Sequence, residues 1–230
     1  MKTLLYLCVL MFFCGIRLFA EDKKVLLKTK IPSPPPTISE FMVPHSTNME
    51  PYPILGKREF FVPVGTTNLA LHKPVTASCQ ATVGNLAMIT DGDKDGDDGG
   101  WMELAAGKQW VQIDLQHSSE IYAVLIWHYY YKSRVYLNVV VAVSDDAEFK
   151  KDVKVVFNND IENAIGFGKA SDRNYFENNW GKLIDAKGVK GRYVRLYSNG
   201  NTANKMNHYV EVEVHGKVNV PTNEAAKGVP

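Results

Sequence analysis

The chain has 230 residues, of which 22% are charged and 45% hydrophobic, and its formal net charge is +1. This is ordinary globular composition with room for one substantial core. The near-zero charge argues against a nucleic-acid binder dominated by phosphate contacts.

The first residues read as a secretory signal. Lys2 precedes the apolar run LLYLCVLMFF, and the small Ala20 precedes two acids. A short basic start, an apolar stretch of about 10–15 residues and a small residue at the boundary form the pattern of a cleaved leader. The apolar stretch is too short for a comfortable membrane span. The expectation is a signal peptide over 1–20, cleaved near Ala20, and a secreted, periplasmic or cell-envelope protein. Cys14 follows the bulky Phe12 and Phe13, which argues against lipidation there. Cleavage removes Lys2 and Arg17, so Lys+Arg falls from 26 to 24 against 25 Asp+Glu, and only Cys79 remains of three cysteines. An exported domain with one cysteine has no internal disulfide.

Residues 21–67 hold IPSPPPTI and EPYPILGK, with most of the prolines and no sustained periodicity. Consecutive prolines favour stiff polyproline II geometry, so this stretch reads as a leader or linker. FFVPV alternatively covers a sheet edge. From Asn68 the pattern is all-β. WVQIDL puts Val111, Ile113 and Leu115 on one face, and IYAVLIW is continuously apolar, as a strand buried on both sides is. YLNVVVAV aligns Leu137, Val139, Val141 and Val143; VKVVF and RYVRLY follow. YVEVEVHG then points Val210, Val212 and Val214 inward and Glu211 and Glu213 outward. Short strands at regular spacing with Gly/Asn/Asp turns predict a β-sandwich or jelly roll over 68–217. Residues 218–230 form a polar tail, expected to be disordered.

ITDGDKDGDDGGW, from Ile89 to Trp101, is the densest carboxylate run. Asp91, Asp93, Asp95 and Gly96 fall at positions 1, 3, 5 and 6 of an EF-hand loop. Position 12 is Met102 rather than a bidentate glutamate, and strand-like WVQIDL follows where a helix is required. The EF-hand reading fails. Acidic Gly-Asp turns also arise simply because these residues suit turns.

NLALHKPVTAS, at 68–78, resembles the opening of discoidin, or coagulation factor 5/8 type C, domains, with His72 where glycine is common. ITDGD, WVQIDL, RYVRLY and EVEVHG follow in that family's order. The chain also looks like an exported bacterial subgroup in which the domain stands behind a proline-rich leader. The resemblance implies a galactose-binding-like jelly roll and, from its calcium-binding members, a structural Ca²⁺. Carried over, the implied ligands are the carboxylate of Asp91, backbone oxygens of Met88 and Asp93, the far end of the loop at Asp98, the carbonyl of Val210 and the carboxylate of Glu211. Oxygen-only ligands suit Ca²⁺ rather than zinc or a redox metal.

In the fucose-binding relatives a histidine and two arginines hold the sugar. In the matching turn, WHYYYKSRVY, His128 falls near the first arginine position and Arg134 at the second, while the lectin histidine has no counterpart, so fucose specificity does not carry over. Independently, Tyr130 and its neighbours offer flat amphipathic surfaces, and His128, Lys132 and Arg134 offer donors. The alternative is that the tyrosines pack beneath the turn. Trp180, in the long segment 158–185, is a further candidate contact, or an anchor to the core. No G-x-S-x-G elbow or H-E-x-x-H is present, so no enzyme is expected. The expected partner is a glycan, with a protein- or lipid-surface adhesion module as the alternative.

Overall fold

The computed structural model describes residues 23–34, 46–51, 59–97 and 99–219. The expected signal peptide, Cys14, Asp98 and residues 220–230 of the tail lie outside the described residues. The strands are β1 (Lys24–Leu26), β2 (Phe61–Pro63), β3 (Thr67–Asn68), β4 (Val75–Ala77), β5 (Met102–Leu104), β6 (Gln109–Trp127), β7 (Val140–Ser144), β8 (Lys154–Asn158), β9 (Lys182–Ser198), β10 (Asn207–Tyr209) and β11 (Glu211–Val218). One turn of 3-10 helix, Leu86–Thr90, precedes the acidic bend. The main antiparallel sheet runs β3-β11-β6-β9-β7-β8, with β4 added to β6; β1-β2 and β5-β10 form two small pairs. The chain is a β-sandwich of the expected class. Among the described residues no helix is long and apolar enough to cross a membrane.

WVQIDL and IYAVLIW, expected as two strands, belong to the single strand β6. Its pairing with β9 shifts register between Asp114 and Ser119 and again between Ile121 and Ala123. Such bulges bend a strand and sharpen its twist. Val111, Ile113 and Leu115 are buried as the alternation predicts, alongside Val139, Val141 and Val143. Gly191 is required where β9 meets β7, because a Cβ there would lie 2.5 Å from a Val143 methyl.

The outward placement of Glu211 and Glu213 does not hold. β11 is enclosed on both faces, and both glutamates are buried. Alternation sends Val212 and Val214 into the main core. The opposite face is covered by the N-terminal segment, which the sequence presented as a leader or linker, with FFVPV as the alternative cover for a sheet edge. Leu27 and Val62 join Ala123, Leu125, Trp127, Tyr130 and Val210 in a second apolar cluster. The segment is tied by backbone and side chain alike: Leu27 N donates to Phe60 O (2.7 Å), Thr29 Oγ1 to Glu213 Oε2 (2.8 Å), and Asn179 Nδ2 to Pro32 O (2.9 Å). Prolines suggested stiffness, yet the apolar residues between them decide the packing.

The long segment 158–185 is ordered by its own carboxylates. The buried side chain of Asp160 accepts the amides of Ala164 (2.9 Å) and Ile165 (2.7 Å), and Asp172 accepts that of Asn158 (2.8 Å).

Candidate functional site

The acidic bend and β11 meet. Its aspartates form successive turns, each side chain accepting the amide two residues on: Asp93 N to Asp91 (2.8 Å), Asp95 N to Asp93 (3.0 Å) and Asp97 N to Asp95 (3.2 Å). These bonds explain the D-x-D-x-D spacing locally. Gly100 closes the bend; a Cβ there would run into the carbonyl oxygen of Asp95. Gly92 N then donates to Glu211 Oε2 (3.1 Å), which brings the bend against β11. Tyr130 OH donates to Lys94 O (2.8 Å), and Tyr131 OH to the Asp95 carboxylate.

Glu211 is buried, and its Oε1 has no hydrogen-bond partner. Burial raises its pKa to about 9, and the Asp91 carboxylate pushes the same way against Gly92 and Lys94. A carboxylate placed here has one oxygen free and a second negative group nearby. That arrangement fits a hard cation. Among the described residues no cluster of three or more His, Cys, Asp or Glu side chains forms a metal site.

The turn after β6 is built differently from its sequence appearance. His128 and Tyr130 are fully buried and Arg134 almost so. Only Lys132 is exposed, while Tyr131 and Trp180 are half-buried. His128 stacks on Tyr136 (ring centroids 4.2 Å apart), and its Nδ1 lies 2.7 Å from Glu177 Oε1. Arg134 packs its guanidinium over Tyr129 (4.8 Å), and its Nη1 has no partner. Tyr136 OH meets His208 Nδ1 (2.8 Å). Across the β5-β10 pair, His208 Nε2 meets Glu103 Oε2 at 3.0 Å. Burial, then the charge of Arg134, push His208 down to about 4, so this contact is a hydrogen bond from a neutral imidazole at pH 7.

The rings at this turn form one cluster. The half-buried Trp101 lies 4.7 Å from the buried Tyr129, which lies 6.2 Å from the half-buried Tyr131, and the exposed Lys132 follows in the chain. Sequence reading named Tyr130 and Lys132 but missed Trp101, Glu103, Glu177 and His208. Trp101 closes the acidic run and was the visible signal. Trp180 stands apart, in a cavity wall formed with the N-terminal segment.

A family model for the F5/8 type C domain matches residues 74–212, more than half of the chain. The chain belongs to the F5/8 type C domain family. His72, just before the matched segment, has φ +56°, in the left-handed region where glycine is favoured. Comparison with curated proteins finds no match. Among solved structures, the domain is similar to part of a Clostridium perfringens enzyme, CpGH89, in complex with its substrate GlcNAc-α-1,4-galactose. The TM-score is 0.50 at 17% identity, covering 66% of this chain and 15% of that one. A fucolectin from striped bass (Morone saxatilis) serum gives 0.48 at 20% identity, covering 70% of this F5/8 type C chain and 52% of the lectin. A Streptococcus pneumoniae fucose-binding module gives 0.44 at 21%, covering 64% and 96%.

Proposed function

We propose that this F5/8 type C chain is a non-catalytic carbohydrate-binding module of an exported protein, stabilised by a structural calcium ion. The observation that carries the saccharide reading is a ledge of two half-buried rings, Trp101 and Tyr131, packed on the buried Tyr129, with the exposed Lys132 next in the chain. Flat rings stack on the C–H faces of pyranoses, and their polar tips and the ammonium reach hydroxyls. The ledge is stiffened from below: Arg134 lies against Tyr129, and Asp95 holds Tyr131. Lys132 is the direct donor in this reading. His128, Tyr130 and Arg134 position the ledge from inside.

A calcium ion would be held by the carboxylates of Asp91 and Glu211, the backbone oxygens of Met88, Asp93 and Val210, and Asp98 at the far end of the loop; it would compensate the Glu211 carboxylate and fasten the bend to β11. A glycan-array screen of the full chain, with calcium and then with EDTA, tests the reading. Saturable binding to a saccharide that Tyr131→Ala weakens at unchanged melting temperature supports it. Failure of every saccharide to bind would refute it.

A further inference from the structure

The N-terminal segment and the loop leading into β9 enclose a cavity of about 90 Å³. Its walls include Ile31 and Phe60 from the segment and Phe176, Asn178 and Trp180 from the loop. Ile31 and Phe60 lie outside the matched residues 74–212, so part of the cavity wall comes from chain outside the matched segment. Gly181 (φ +69°) makes the loop possible, since a Cβ there would lie 2.6 Å from the Trp127 ring.

Size, charge and hydrogen bonding define what fits. An apolar cavity of about 150 Å³ accommodates benzene, so 90 Å³ accommodates a smaller group of roughly three or four heavy atoms. A whole sugar ring does not fit; a substituent does. Among the lining residues the charged ones are Lys182 and Glu50, and these are paired with each other at 2.6 Å. A charged substituent would be desolvated without a partner, so the group is neutral. Trp180 and Asn178 supply N–H donors on the cavity wall; both are half-buried, and Asn178 Nδ2 donates to Phe176 O at a long 3.5 Å.

We propose that this cavity seats an acetyl group of an N- or O-acetylated polysaccharide, its methyl against Ile31 and Phe60, its carbonyl accepting from Trp180 or Asn178. The sugar ring stays outside, against the exposed part of Trp180. This inference rests on the carbohydrate reading above and adds a second site to it, separate from the ledge at Trp101 and Tyr131.

The test is calorimetric titration of the full chain with two matched pairs: N-acetylated chitooligosaccharide against its deacetylated form, and O-acetylated xylan against deacetylated xylan. Acetylation should strengthen binding roughly tenfold in at least one pair, the scale of one small group entering a fitted pocket. The pair that responds identifies amide or ester as the source. Trp180→Ala should abolish that preference. Ile31→Phe, which fills the cavity while keeping its walls, should abolish it too, and it guards against a misfolded Trp180→Ala. Equal binding of acetylated and deacetylated forms, or a preference that survives both substitutions, would overturn the acetyl seat while leaving the ledge intact. Binding to no saccharide of any kind would overturn both.

Discussion

The ammonium of Lys94 stands 2.7 Å from Oε1 of Glu213, with both side chains less than one-tenth exposed. Lys94 is the single base in the acidic run 89–101. It also lies over the Trp127 ring, 5.2 Å from its centre. Glu213 in turn receives Thr29 and lies 2.9 Å from His215 Nε2. One ion pair therefore joins the acidic bend, the last strand and the N-terminal segment.

Removing one partner of a buried pair leaves an uncompensated charge, at a cost of about 3–5 kcal/mol. Lys94→Met should fall at the lower end, about 3 kcal/mol, because Thr29 and His215 still contact Glu213. Urea denaturation with calcium present measures this. A loss below about 0.5 kcal/mol would mean that the pair contributes no more than a surface contact.

The N-terminal segment should be part of the folding unit. A chain starting at Asn68 loses Leu27 and Val62 from the second apolar cluster and uncovers Trp127 and Leu125. At about 1.5–3 kcal/mol per buried aliphatic side chain, the truncated chain should lose roughly 3–6 kcal/mol. Equal denaturation midpoints for both chains would restore the spacer reading.

Glu211 gives the metal-free protein an unusual pH dependence. Its folded pKa, about 9, lies above the ordinary 4.5. The folded state then binds the extra proton, so its contribution is full below the unfolded pKa and is lost as pH rises through the folded value. In EDTA, stability should decline from about pH 5 toward pH 9. On the proposed reading calcium would hold the deprotonated carboxylate, so adding it should reverse that decline. Glu211→Gln should remove both the decline and the calcium response.

His208 acts in the opposite direction. Its folded pKa, about 4, lies below the ordinary 6.5. The unfolded chain takes up the proton first, so stability present above 6.5 falls as pH drops toward the folded value. His208→Gln should flatten melting temperature across that window. An unchanged acid limb would place the sensitivity elsewhere.

His72→Gly should be neutral to slightly stabilising. A non-glycine residue in the left-handed region costs about 1–2 kcal/mol, against about 0.5–1 kcal/mol of added chain entropy for glycine. The amide of His72 keeps its bond to Thr90 O (2.6 Å).

Much of the fold was legible because period-2 alternation reports a buried face directly, as at Val111, Ile113 and Leu115. Alternation failed at Glu211 and Glu213 for a definable reason. A strand with one polar face looks solvent-exposed unless the covering residues are known, and those come from Leu27 and Thr29, about 185 positions away. Family order brought the acidic bend and β11 together, which local spacing alone left open. The turn was harder. WHYYYKSRVY carries donors that suit a ligand, but His128 and Arg134 are enclosed by Tyr136, Glu177 and Tyr129, drawn partly from remote segments. Trp101 was overlooked because it read as the end of a metal loop.

The most direct test follows saccharide affinity in one sample, stripped with chelator and then titrated with calcium. Binding should appear and the melting temperature should rise over the same calcium range, and Tyr131→Ala should remove the first without the second. A chain that binds no saccharide at any calcium concentration, while melting as a single folded unit, would contradict the account.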